Sequence, residues 1–161
     1  MYFLENPQTA LELVAAWRVL IAALFGAVLG LERSLAGKHA GMRTYALVAM
    51  GSALFVVAGE LFDAWNFLGG PSDAAARIAA SVVMGVGFIG SGIAFLHSAS
   101  DHPGELTTAA GIWVAAGVGL AAGFGFYALA AITTALGLLV FTILWRTENA
   151  LRKRYGTSNG S

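Results

Sequence analysis

Ionisable side chains are few in this sequence, and their grouping shows where chemistry is conceivable. Glu32, Arg33 and Arg43 fall within one short basic connection between two apolar stretches. They read either as a polar cluster that gates, binds an anion or contacts a partner, or as an interfacial ion-pair set that fixes topology, since an arginine–carboxylate pair needs no substrate to form. Asp73 and Arg77 stand ahead of a third apolar stretch. They suit a capped i, i+4 pair on a helix, or an outer vestibule in which Arg77 faces Glu60 or Asp63. Carboxylates at Glu60, Asp63 and Asp73 would attract Mg²⁺, which takes oxygen ligands in octahedral geometry and keeps several waters, but their spacing defines no dedicated site. Thr107 and Thr108 open a fourth apolar stretch. They either cap it and bond between helices or line a polar cavity. His97, Asp101, His102 and Glu105 match no recurring metal spacing and fit a hydrated loop, and His39 lacks a partner pattern. The sequence has no nucleophile elbow, Walker loop or H-E-x-x-H and no cysteine. No catalytic residue is therefore expected, the chain is not read as an enzyme, and thiol chemistry is excluded.

The elements that must hold these groups are membrane helices. The chain has 161 residues, 58% of them hydrophobic and 11% charged, with a mean hydropathy of +0.74, whereas a soluble domain carries about 25% charge. The expected fold is all-α, a polytopic membrane protein with five transmembrane helices in one compact bundle, partnered first by the lipid bilayer. Formal net charge is zero, so nothing favours nucleic-acid binding. Residues 77–92, R-I-A-A-S-V-V-M-G-V-G-F-I-G-S-G, organise the pattern. The uncharged run 78–96 is long enough to cross a hydrocarbon core about 30 Å thick. Ser81, Gly85 and Gly92 share one side of this helix, with Ala80, Val83, Gly87, Gly90 and Ala94 nearly opposite. Two smooth faces predict two packed neighbours and a place in the middle of the bundle. The embedded G-x-G-x-x-G is not read as a nucleotide loop, because it lies inside an apolar helix rather than between a strand and a helix.

Residues 1–12 form a polar lead-in, with Asn6-Pro7 as a turn and Thr9 as a cap. This lead-in carries Glu5 and Glu12 rather than a basic n-region, so it is expected to be mature sequence. Spans are expected at about 13–31, 44–60, 77–97, 106–123 and 125–145, followed by a short basic tail, 146–161. Arg18 lies about a turn inside the first span, where it can snorkel, and Gly26 with Gly30 forms a GxxxG contact. The uncharged run 106–145 would measure about 60 Å as one helix, so it must reverse, and Gly-Phe-Gly-Phe at 123–126 is the natural place. In the fourth span Thr108, Gly111, Ala115, Gly119 and Ala122 make one small-residue stripe and Thr107, Ala110, Gly117 and Ala121 another. Ile112, Trp113 and Leu120 are left for lipid or a bulky partner. The stripes motivate a homo-oligomer. Arg33, Lys38 and Arg43, together with Arg146, Arg152, Lys153 and Arg154, place the first connection and the tail on the cytoplasmic side, with the N-terminus outside.

Four ordered motifs, G-L-E-R (30–33), G-M-R-T (41–44), the 77–92 run and L-T-T-A-A-G-I-W-V-A-A-G-V-G-L-A-A-G (106–123), resemble the membrane domain of the MgtC/SapB family. The resemblance covers residues 18–145. It implies a bacterial inner (cytoplasmic) membrane protein with five spans, associated with growth at low magnesium, with virulence in pathogens, and with restraint of the F-type ATP synthase. The alternative is an ion transporter or channel in its own right, for Mg²⁺ or another ion. The residues expected to form a functional polar cluster are Glu32, Arg33, Arg43, Thr44, Asp73, Arg77, Thr107 and Thr108, all but Asp73 on these motifs, and the expected packing positions are Gly26, Gly30, Gly85, Gly87, Gly90, Gly92, Gly111 and Gly119, all but Gly26 on them. Ser81 stands where the family usually has glutamine, Asp73 is farther from the arginine than the family's aspartate, and Glu105 replaces a glycine. Many members carry a further soluble C-terminal domain.

Overall fold

The computed structural model describes residues 7–65, 73–97, 104–144, 146–147 and 150–151. Five helices, α1 (Pro7–Leu35), α2 (Met42–Trp65), α3 (Ala74–His97), α4 (Gly104–Gly123) and α5 (Tyr127–Leu139), form one bundle, and α5 runs on into a π-helical turn, Val140–Leu144. All five, α5 taken together with its π-helical turn, are long and apolar enough to cross a membrane, so the chain is a multi-pass membrane protein. Every helix extends beyond or close to its expected limits, with α1 gaining several residues at each end.

The two described turns are built alike. At the end of α1 the Lys38 amide donates to the Arg33 carbonyl (3.0 Å) and the Gly37 amide to that of Ser34 (3.2 Å), with Gly37 at φ 67°. After α4 the Phe126 amide reaches Ala121 (2.8 Å) and the Gly125 amide reaches Ala122 (3.0 Å), with Gly125 at φ 82°. This paired capping satisfies the last carbonyls of a helix but needs a left-handed residue, which glycine supplies without a Cβ penalty. The reversal therefore falls where the sequence places it. Ser34 also accepts the Met42 amide (2.7 Å), tying the start of α2 to the end of α1.

The centre of the bundle is α4, not α3. Half of the most apolar window of α4 is buried (50%), against 6% for α3. Ala49 of α2, fully buried, marks the meeting point of three helices. A Cβ on Gly26 of α1 would lie 2.8 Å from the Ala49 Cβ, and one on Gly119 of α4 would lie 2.7 Å from the Ala49 Cα. Small residues thus bring backbones together, as apolar solvent demands. In α3, by contrast, Gly85, Gly87 and Gly92 have no neighbour within 4 Å of a built Cβ. The helix does touch two others, but through Val82, Val86 and Ile93, which pack on the core cluster of Tyr45, Ile112 and Phe141. Branched side chains fill most of that seam, joined by Gly90, whose built Cβ would lie 3.6 Å from the Ala109 Cβ of α4, while Gly85, Gly87 and Gly92 are left without such a neighbour. Ile112, left for lipid or a bulky partner by its place on the wheel, is fully buried in the same cluster, while Trp113 is exposed as expected.

Candidate functional site

Polar side chains join different helices at two places, one near each end of the bundle. At the end carrying Arg33 and Arg43, the last turn of α1 directs Arg33 inward, where it is only 5% exposed. Its Nη2 donates to Thr108 Oγ1 of α4 at 2.5 Å, and the guanidinium sits 5.0 Å above the Phe141 ring. Phe141 belongs to the π-helical turn and meets Tyr45 edge-on, with ring centroids 6.4 Å apart. Tyr45 lies within electrostatic reach of Arg33 and Glu32. The Cβ of any residue replacing Gly111 would fall 2.8 Å from Phe141 Cζ, so glycine there admits both rings. Four elements converge on one arginine.

That arginine is incompletely satisfied. Arg33 Nε, the Tyr45 hydroxyl and Glu32 Oε2 are buried without a hydrogen-bond partner among the described residues. A cation buried away from water is costly unless it is paired or hydrogen-bonded. Thr108 and the π face of Phe141 offset part of that cost without supplying a counter-charge. The site can hold a positive charge and recognise an acceptor, but it offers no nucleophile aligned with a base.

The structure unites only part of the polar cluster expected from sequence. Arg33 and Thr108 meet; Thr44 is half-buried, and Arg43 and Thr107 are exposed. Glu32 forms no ion pair with Arg33 or Arg43 among the described residues. Tyr45 and Phe141 were missed, because an aromatic in an apolar run reads as core. The π-helical turn at Phe141 is a feature often associated with functional sites, yet it has no signature in the residue pattern.

At the opposite end Arg18 is tied to a second helix. It lies three turns inside α1, forms an ion pair with Glu60 of α2 (2.5 Å) and donates from the same nitrogen to the Gly123 carbonyl (3.0 Å). A small cavity of about 210 Å³ adjoins this pair, bordered by Val14, Val57 and Leu61. Glu60 is thus committed to Arg18 and not to Arg77. Asp73 precedes α3 and is exposed; its carbonyl accepts the Arg77 amide (2.9 Å), but its side chain makes no ion pair with Arg77 among the described residues. Asp63 has an interaction of its own. Among the described residues no three His, Asp or Glu side chains group as metal ligands, so Glu60, Asp63 and Asp73 do not fit a shared Mg²⁺ site. Asp101 and His102 lie outside the described residues, as do the side chains of His97 and Glu105.

Comparison with known proteins agrees with this architecture. The "Putative magnesium transporter YhiD" of Escherichia coli is 39% identical over 140 residues, 86% of this chain and 64% of the relative. Protein SrpB of Synechococcus elongatus is 39% identical over 139 residues, 79% of this chain and 72% of the relative. Protein MgtC of Brucella abortus is 38% identical over 123 residues, 76% of this chain and 48% of the relative. The chain thus spans less than two-thirds of YhiD and about half of MgtC. No solved structure matches it. The family model for MgtC matches residues 19–150, and with these relatives it shows that the chain belongs to the MgtC family.

Proposed function

We propose that this chain is a regulator in the bacterial cytoplasmic membrane, with its N-terminus outside and its C-terminus inside. It supports growth and virulence under magnesium limitation by contacting other membrane proteins, among them the F-type ATP synthase. The observation that carries this reading is the packing at Ala49. Gly26 and Gly119 press α1 and α4 onto it from two sides, and Ala22, Ala53, Val118 and Ala122 around that level are fully buried. Transport sites tend to lie near the midplane, on broken helices whose free backbone groups bind the cargo. Here that level is filled by continuous helices in van der Waals contact, and the buried hydroxyls of Ser52 and Thr134 bond back to their own helices.

A second reading, an ion transporter, is favoured by the name of the Escherichia coli relative and by the unpartnered polar atoms around Arg33. The two separate in proteoliposomes holding the full chain. The regulatory reading expects no Mg²⁺ uptake beyond empty vesicles, together with recovery of growth at low magnesium when the chain is returned to a deletion strain. It also expects ATP synthase subunits to co-purify from that strain. Uptake that Arg33→Gln abolishes would overturn it in favour of transport.

A further inference from the structure

A groove of about 600 Å³ runs along the outside of the bundle between α2 and α3. This volume falls within the roughly 300–1,000 Å³ of small-molecule sites. Gly51 and Phe55 form one wall, and Ile78, Ser81, Gly85 and Ile89 the other. The groove owes its depth to the two glycines, since neither has a neighbour within 4 Å of a built Cβ. Towards the Glu60 end the two helices touch, where a Cβ on Gly59 would lie 2.9 Å from Ala75 Cα and from Ile78 Cδ1. The groove therefore starts just below that contact and runs towards the midplane.

Its length selects the occupant. From Ile78 to Ile89 an α-helix rises about 16 Å, close to the ~15 Å of hydrocarbon in one leaflet and half the distance a transmembrane helix must cover. A partner helix would match the groove over only half its span, whereas a single acyl chain matches all of it. One turn beyond the Ser81 wall, outside the lining itself, stands Arg77, in line with Ser81 and Gly85 at successive turns, and the Ser81 hydroxyl donates to the Arg77 carbonyl (3.0 Å). Arg77 is exposed, and its guanidinium makes no ion pair or hydrogen bond among the described residues. Arg18, the other described arginine at that end, is already held by Glu60 and Gly123. Arg77 also lies in the first turn of α3, where free amides add to the positive field.

We propose that Arg77 and the α2–α3 groove together bind one anionic phospholipid from the leaflet at the Glu60 end, its phosphate on the guanidinium and one acyl chain along Ser81 and Gly85. The site does not depend on the regulatory reading above. The full chain, purified in mild detergent and titrated with phosphatidylglycerol, is followed by native mass spectrometry. Wild type is expected to retain one lipid, Arg77→Gln to bind it about fivefold more weakly, and Gly85→Leu to lose it by filling the groove. Arg146→Gln, an exposed arginine elsewhere, is expected to match wild type, and phosphatidylethanolamine, whose ammonium offsets the charge of its phosphate, to bind more weakly. Gly51→Leu repeats the test from the other wall should Gly85→Leu fail to fold. Retention unchanged by Arg77→Gln or by the groove-filling variants overturns the proposal, as does an equal loss in Arg146→Gln. A two-chain mass that the groove-filling variants reduce to one would give the groove to a second copy instead.

Discussion

Replacing Thr108 by valine keeps the shape of the side chain and removes the hydroxyl that accepts from Arg33. The bond is short, 2.5 Å, and both partners are shielded, at 5% and 1% exposure, so water does not replace it. Hydrogen bonds to charged groups contribute about 1.5–3 kcal/mol, while side-chain bonds inside membrane proteins average about 0.6 with a maximum near 1.7. A charged and fully shielded bond belongs at the top of the membrane range, about 1.5 kcal/mol, or roughly tenfold in the unfolding equilibrium. Thr108→Val alone should cost about 2 kcal/mol, because the buried guanidinium loses the hydroxyl that accepts from it. Arg33→Met removes the charge itself, and Thr108 keeps a further interaction, so this variant should be milder. In the double variant the valine should then add little. The assay is reversible unfolding in mixed lipid–detergent micelles, followed by tryptophan fluorescence, for the four members of the cycle. Single costs that add to within about 0.5 kcal/mol would refute the coupling, and with it the claim that Thr108 holds the buried arginine.

Glycines of similar appearance should differ in tolerance. Gly119→Ala drives a Cβ into the Ala49 backbone and should cost about 1–3 kcal/mol, whereas Gly85→Ala meets nothing within 4 Å and should stay within about 0.5 kcal/mol of wild type in the same unfolding assay. Gly125→Ala places a Cβ at φ 82° and should lower stability by about 1–2 kcal/mol; no change would refute the need for a left-handed residue at that turn. Glu60→Leu breaks a partly exposed ion pair, so the stability loss should be modest, about 0.5–1 kcal/mol. Because Arg18 also bonds the Gly123 carbonyl, amide exchange at residues 124–127 should accelerate in this variant, and unchanged exchange would show that the pair does not anchor the turn.

Elements whose cause is local were legible in the sequence. The reversal at 123–126 followed from length and from a glycine where only a left-handed residue fits, and five spans followed from uncharged runs. The stripe of Thr108, Gly111, Ala115, Gly119 and Ala122 was read as one face, and the structure buries all of it. The rank of the helices was not legible. Glycine stripes on α3 and α4 look alike, and which one is covered depends on whether the facing helix offers Ala49 or nothing. The pairing of Arg18 with Glu60 and the turn of Arg33 towards Thr108 join residues 42 and 75 positions apart, a distance over which no periodicity carries information. Phe141 enters the site through a π-helical turn, which depends on packing rather than on a residue code, and Tyr45 enters it from α2 by meeting that ring.

The placement of Thr108 on the fourth helix also bears on the order in which the chain is made. While only α1 to α3 have left the ribosome, Arg33 lacks Thr108 and Phe141, and its charge is best kept at the headgroups. The turn between α4 and α5 is too short for one to enter the bilayer without the other, so the final pair must arrive as a unit. That arrival supplies Thr108 and Phe141 together. If Arg33 turns inward only when the last helix pair docks, a product ending before residue 104 should keep it reachable from the aqueous phase.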